Sequence, residues 1–541
     1  MGGISVANIK RRKLIAVTTA IGLLALSPLT AASKTPENQL VVGFSMANVL
    51  TLDPAGAGGK ERVQIIANLY DNLVGIDPSD RTSLRPELAE RWVISEDGNS
   101  IRLTLRTGAV FASGNPVTSE DVVWSFKRVL ALNLAQATNF KIRGYTVQNA
   151  DENFVAVDAQ TIEIRIPQKT DPNIILLTLA MTGPGSILDK KTVLQNEKNG
   201  DFGSGWLATH AAGSGAFGLQ IMTPNEIVVL KRNENYWGTP ATMDRVIMRH
   251  LPESQSQRLL LAKGDLDVAY SLSAADLSTM EKEDDIKIIN EVGNGLYYLA
   301  MSMKDKALSD PRVRQGIIKL IDFEGINNSV MKYYGIAHVD PIQIGLGGEK
   351  RVKPPAPDVE EAKSLLAKAG YANGLKLSLH ALSEPPFDNL SVAIQGALTA
   401  GGIDVNIISG GGETVYGPMR KREFQLVVGR SGGQVSHPDG DLRSIVHNPD
   451  NRDEAQLSGL LSWRVSYKDD ELNRAIDEAL FLAPEQQKAE YAKIQKLYRD
   501  KVPAIQAISQ VTDSVAARAD IRGLVISPVW QTRLSTVGKA R

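Results

Sequence analysis

The chain has 541 residues, 43% of them apolar and 22% charged, with 60 Lys+Arg against 61 Asp+Glu. That length suggests three or four domain-sized units at about 150 residues each, and the composition is globular rather than disordered. The balanced charge gives no bulk attraction to nucleic acid or anionic lipid, and the absence of cysteine excludes disulfides, thiolate metal sites and a Cys nucleophile.

Residues 1–33 read as a signal peptide. Lys10-Arg11-Arg12-Lys13 is a compact basic start, Leu14–Leu26 is apolar, and Thr30, Ala31 and Ala32 supply small residues for cleavage. The apolar run is shorter than the about 20 residues a bilayer-spanning helix needs, which favours a cleaved signal over a retained anchor. Arg11-Arg12 also resembles a twin-arginine signal, so the Sec and twin-arginine routes both stay open. Without cysteine there is no site for a thioether-linked lipid, and the expected location is the periplasm, untethered.

Val41–Phe44 reads as a short buried strand, and Pro54 turns the chain after it. Arg62–Leu73 carries a helical apolar face. Trp92–Ile94 and Ile101–Arg106 flank Asp97-Gly98, a strong hairpin signal, and the return arm alternates apolar and polar residues. A helix over Ser119–Leu130 follows, with Thr118 and Asp121 in capping-box spacing. Strands are expected at Thr161–Ile166, Glu226–Lys231, Val246–Met248, Gly264–Val268 and Tyr297–Met301. Helices are expected at Ser254–Lys263, Pro311–Ile321 and Asp358–Ala369, the last between an Asp358 cap and Gly370. Leu375–Leu379 and Asp404–Ile407 are alternating strands flanking a helix over Leu390–Ala400, and Lys353–Pro357 is a stiff connector. The interleaving predicts an α/β or α+β architecture.

Catalytic motifs are lacking. Gly213–Gly218 spells G-x-G-x-x-G, but an alternating strand follows where a dinucleotide site needs a helix. The six histidines show no metal-ligand spacing, no Ser lies in G-x-S-x-G, and Asp265 and Asp267 read as a solvated strand end. No catalytic residue, metal ligand or cofactor is therefore assigned.

Four stretches together resemble the family 5 extracellular solute-binding proteins. They are Leu52-Asp53-Pro54 with Leu69–Val74; Pro86–Trp92, Ser95–Gly98, Gly108–Phe111, Gly114, Pro116–Val122 and Ser125-Phe126; Gly213–Phe217 with Leu230–Trp237; and Asp310–Ile317, Ile321-Asp322 and Gly335. The resemblance covers nearly all of the mature chain. It implies an α/β, two-lobed periplasmic binding protein with an extra inserted domain, mixed sheets, flanking helices and a hinge of two crossing segments. The implied boundaries are lobe 1 over 34–80, 205–290 and 505–541, an inserted second domain over 81–204, and lobe 2 over 291–504.

The implied function is capture of a small solute (a peptide, an opine or a related compound) and its delivery to the permease subunits of an ABC importer, by a monomer without catalysis. A periplasmic hydrolase acting on peptides or glycans is the competing reading. In peptide-binding members an Asp meets the ligand's amino terminus, and aligning on Pro438 puts the neutral Gln434 there, unless a small register shift offers Asp439 or Asp441. Arg430, Gln434 and His437 suit carboxylate or hydroxyl groups, which points to a ligand without a free α-amine. Gly432-Gly433 allows close approach to the backbone, and the alternative for this loop is a tight turn with solvated side chains. Ser45, Met46 and Asn48, after the first strand, and Tyr416, for stacking, complete the candidate ligand contacts.

Overall fold

The computed structural model describes residues 35–540 except 48, 78–80, 82, 347–350 and 433–435. The expected signal peptide and the candidates Asn48, Gly433 and Gln434 lie outside the described residues.

An eleven-stranded mixed sheet runs through the described residues. From one edge its strands are Ile403–Gly410, Leu375–Leu382, Leu426–Arg430, Ile286–Met301, Ile505–Arg518, Val268–Ala269, Gln39–Phe44, Arg245–His250, Ile227–Arg232 and Phe217–Thr223, with Gly335–Ala337 paired off this path to Ile505–Arg518. Gln39–Phe44 is parallel to Arg245–His250, and Leu375–Leu382 is parallel to both of its neighbours. The expected α/β architecture is present. The Gly213–Gly218 segment leads into a strand, Phe217–Thr223, rather than a helix; the strand expected at Glu226–Lys231 is Ile227–Arg232, and Phe217–Thr223 precedes it without having been expected.

Separate apolar cores lie along this sheet. One gathers residues 40–70, 188–270 and 515–537, while two others fill the opposite half from residues 296–511. A further core belongs to a four-stranded sheet of Ala89–Ile94, Ser100–Leu105, Thr161–Arg165 and Phe154–Asp158. The helix Ser119–Leu132 packs on that sheet through Val122, Phe126, Val129 and Leu130. Its capping box is complete, with the Thr118 hydroxyl and the Asp121 carboxylate each accepting from the other's backbone N–H, an arrangement that contributes about 1 kcal/mol. Left-handed Asn133 ends the helix. Arg128 on it forms a two-pronged pair with Asp53 at 2.8 and 2.7 Å, fully buried, which ties the smaller sheet to the larger one.

The two long strands cross between the halves. Ile286–Val292 pairs with Thr512–Arg518, and Leu296–Ala300 pairs with Ile505–Gln510. Between Val292 and Leu296 the register slips, so the ladder is interrupted where the halves meet. Gly295 sits in that slip with φ +111°, and a Cβ there would lie 2.0 Å from the Ser431 carbonyl oxygen, so only glycine fits. The sequence pattern showed Tyr297–Met301 alone, because the preceding Ile286–Val292 carries Lys287, Asn290 and Glu291 without strict alternation.

Candidate functional site

A cavity of about 390 Å³ lies where the lobes face each other, within the size range of small-molecule sites. One wall comes from Ala57–Gly59, Val63 and Val529–Gln531. Residues 135–143 form a second wall, and Gly432, Ser436, Arg443 and Leu460 close it from the opposite lobe. Its charged lining is Arg143 and Arg443, and no carboxylate lines it among the described residues.

Asp439 lies beneath that surface, 1% exposed, held by Arg143 at 3.0 Å and Arg443 at 2.9 Å. Burial alone would raise its pKa, but the two guanidiniums overcome that and hold it below the usual carboxylate range. Arg143 is 3% exposed, and burial lowers its pKa against the opposing pull of Asp439. Asp439 is therefore paired with two guanidiniums beneath the cavity rather than forming part of its lining. Asp441 is fully buried as well, accepting from the backbone and side chain of Gln343 at 3.0 and 2.7 Å, and desolvation lifts its pKa to about 6.

The other candidates separate. Gly432 lines the cavity. Arg430 ends the strand Leu426–Arg430 behind Gly432, its guanidinium 5.8 Å from the Tyr297 ring and 5.2 Å from the Trp530 ring. Asp513 lies 3.7 Å from Arg430 Nη2, an ion-pair distance rather than a hydrogen bond, and is itself held by Lys60 at 2.7 Å. Arg430 Nε and Nη2 are buried without a hydrogen-bond partner among the described residues. Tyr416 is half-buried on the helix Gly412–Lys421, its hydroxyl bonded to the backbone of Arg430, and burial raises its pKa.

His437 is the N-cap of the helix Pro438–Ile445, its Nδ1 accepting from the Asp439 N–H at 3.1 Å, and burial lowers its pKa. It lines a second interlobe cavity of about 490 Å³ with Trp92 and Tyr491, which meets the first at Ser436. Met46 belongs to the core, fully buried, its N–H donating to His250 Nδ1 at 2.8 Å. Ser45 is half-buried, and its hydroxyl accepts a 3.4 Å bond from the Ala47 N–H.

Arg143, Arg443, Trp530 and Gln531 line the cavity without having been singled out from the sequence. No spacing marks them. Trp530 follows a Ser527-Pro528 turn that the apolar periodicity passes over, and Arg143 precedes Gly144 in a short helix–turn segment.

No helix among the described residues is long and apolar enough to cross a membrane, and none of their His, Asp and Glu side chains form a group of three able to hold a metal. The family described as bacterial extracellular solute-binding proteins, family 5 Middle, matches residues 83–453. The chain is 25% identical over 514 residues to the probable D,D-dipeptide-binding periplasmic protein DdpA of Escherichia coli K12, covering 94% of this chain and 95% of that one. It superposes with TM-score 0.79 on the periplasmic binding protein DppA of Helicobacter pylori, in complex with the peptide STSA, at 23% identity over 93% of this chain and 98% of that one. A TM-score of 0.80 relates it to MoaA of A. tumefaciens R10, in complex with mannopinic acid, at 20% identity over 94% of this chain and all of that one. These are two-lobed binding proteins, and nothing in the comparisons supports the hydrolase reading. The protein is a periplasmic solute-binding component of an ABC importer and not an enzyme. The chain belongs to the bacterial extracellular solute-binding proteins of family 5.

Proposed function

We propose that this protein takes up a carboxylate-bearing solute without a free α-amine, enclosing it between the lobes for the permease. The observation that carries this reading is the cavity lining, in which two arginines and several amides and hydroxyls appear and no acid does among the described residues. An ammonium there would lose its water shell without gaining a carboxylate partner, whereas a carboxylate would meet guanidinium and amide donors. Aligned on Pro438, Gln434 takes the place of the amine-binding Asp of peptide binders and is neutral; the carboxylates that a shifted register would offer, Asp439 and Asp441, are both buried. Among the named structural neighbours, MoaA is in complex with mannopinic acid, which carries a carboxyl group and is not a peptide.

In this reading residues 1–33 are the export signal, and the absence of cysteine leaves the mature chain without a thioether-linked lipid. The units 34–80, 205–290 and 505–541 form lobe 1, 81–204 is the inserted domain, and 291–504 moves as lobe 2 about the Val292–Leu296 slip. Arg430, Gly432, Gly433 and Gln434 remain proposed contacts, whereas Met46, His437 and Asp439 serve the fold around them.

Calorimetric titration with two matched probes tests the ligand class. N-acetyl-alanyl-alanine has the carboxylate and no amine, and alanyl-alanine amide has the reverse. Binding of the acetylated acid at least tenfold tighter than the amide is expected. Preference for the amide, or no binding of either, overturns the carboxylate reading.

A further inference from the structure

Trp530 combines features that a packing residue does not need. Its φ is +66°, a left-handed conformation that costs a bulky side chain about 1–3 kcal/mol unless its surroundings enforce it. The surroundings do enforce it. Its N–H closes a turn onto the Ser527 carbonyl at 3.2 Å. The Thr532 hydroxyl accepts from the Ser527 N–H at 2.9 Å, and the Thr532 carbonyl accepts from Gln64 and Asn68 at 2.7 and 3.0 Å. The Gln531 amide donates to the Ala180 carbonyl at 3.2 Å.

The strained residue therefore sits on a braced loop of the lobe that holds Gln64 and Asn68, and it lines the cavity. Its indole N–H is buried without a hydrogen-bond partner among the described residues, a costly state for a donor that packing alone does not call for. Its six-membered ring lies over Gly432 of the opposite lobe, where a Cβ would meet ring atoms at 2.7 Å. The same ring faces the Arg430 guanidinium, whose Nε and Nη2 are also without hydrogen-bond partners among the described residues.

We propose that Trp530 is the specificity-determining residue of the cavity: its N–H donates to the solute, and its ring, seated on Gly432 only when the lobes are closed, holds Arg430 toward the solute's anionic group. The second half of this statement rests on the carboxylate reading above, whereas the seating on Gly432 does not. Closure brings the ring of one lobe onto bare backbone of the other, so a side chain at position 432 obstructs the closed state alone. A cation held between two aromatic faces keeps its donors available in the ring plane, which suits an incoming carboxylate.

The test uses two readouts. The chain is free of cysteine, and a Cβ on Gly459 would lie 3.6 Å from Thr138 Cγ2 across the interlobe gap, so a Thr138→Cys/Gly459→Cys pair cross-links only the closed form. Adding Gly432→Ala should slow cross-linking at least tenfold, and adding Trp530→Ala to that variant should restore it. In titration with N-acetyl-alanyl-alanine, Trp530→Phe keeps the ring and loses the donor, and is expected to bind about tenfold more weakly, as for one lost hydrogen bond to a charged acceptor. Failure of the unaltered protein to bind the probe overturns the carboxylate reading while the cross-linking still judges the seating. A Gly432→Ala variant that cross-links as fast as its parent, a parent pair that does not cross-link, or a Trp530→Phe variant that binds like the unaltered protein overturns this inference.

Discussion

The carboxylate of Asp439 joins the lobes by holding Arg143 at 3.0 Å with both side chains almost wholly out of solvent. Arg143 stands beside the smaller sheet and Asp439 on the helix that follows the Arg430 loop, so the pair forms across the cavity rather than within one body. Breaking one partner of such a pair strands a buried charge and costs about 3–5 kcal/mol, more than the pair itself contributes. Because the pair spans the lobes, the cost falls on closure and not on folding. Asp439→Asn should leave the melting temperature within a few degrees while small-angle scattering shows a more open protein. Arg143→Met with Asp439→Leu, which removes both charges, should recover the closed dimensions. An Asp439→Asn variant as compact as the unaltered protein would count against an interlobe role.

The same pair has a pH signature. Asp439 has a depressed folded pKa, so its stabilisation of the closed form is present above the ordinary carboxylate pKa and is lost as pH falls through the lower folded value. Asp441, two residues on, behaves oppositely. Its folded pKa is raised to about 6 from 3.8, so the folded state holds a proton that the unfolded chain has released between those values. Stability from this group is therefore greatest below about pH 4 and falls as pH rises toward 6, by up to about 3 kcal/mol at 1.36 kcal/mol per pKa unit. Asp441→Asn should remove that slope. The difference in melting temperature between Asp441→Asn and the unaltered protein is expected to shift in favour of the variant from pH 4 to pH 6.5, and a constant difference would show that Asp441 does not titrate in this range.

Much of this fold was legible from residues with local causes. The Thr118–Asp121 box, the Asp97-Gly98 hairpin and the Asp358 cap are set by neighbours in sequence, and each appears within a residue or two of its expected place. The helix expected over Arg62–Leu73 is Lys60–Leu69 instead, because Asn72 leaves the helix to bridge Ser186 and Leu73 accepts from Glu87 and Ala89. The expected strand over Gly264–Val268 shrinks to Val268–Ala269, since Gly264 caps the preceding helix in a left-handed conformation. The cavity was the least legible part. Gly432 lies in a loop that the family resemblance points to, but Arg143 and Trp530 arrive from segments about 290 and 100 residues away, and nothing local marks either of them. Asp439 looked like a ligand group because its charge was visible and its two arginine partners were not.

A third relationship concerns how the smaller sheet is fastened. Arg128 donates two hydrogen bonds to Asp53 in full burial, and the Ser204 hydroxyl donates a third to Asp53 at 2.7 Å while Arg128 Nε donates to the Phe202 carbonyl at 2.8 Å. This pair joins the helix of the smaller sheet to the turn that Asp53 caps, both outside the crossing strands. Arg128→Ala should therefore cost about 3–5 kcal/mol of global stability, read as a lowered urea midpoint, with no change in the open–closed distribution. The contrast with Asp439→Asn separates the two kinds of buried pair. A loss of closure without a loss of stability in Arg128→Ala would reverse that assignment.

Two glycines make opposite predictions from the same substitution. Gly295 lies in the register slip of the crossing strands, where φ is +111° and a Cβ would strike the Ser431 carbonyl oxygen at 2.0 Å. Alanine there faces both conformational strain and backbone overlap, and neither neighbour is a flexible side-chain end that can move aside. Gly295→Ala should cost at least about 2 kcal/mol and displace the Ser431–Gly432 segment that lines the cavity, so solute affinity should fall with stability. Gly396 lies exposed in the helix Phe387–Ala400, with open space where its Cβ would be. Gly396→Ala gains helix propensity at no steric cost and should raise stability by about 0.5–1 kcal/mol without touching affinity. Chemical denaturation of both variants beside the unaltered protein reads the two signs in one experiment. A neutral Gly295→Ala would mean that the crossing strands tolerate a regular ladder, and the slip would lose its claim to be the flexible joint between the lobes.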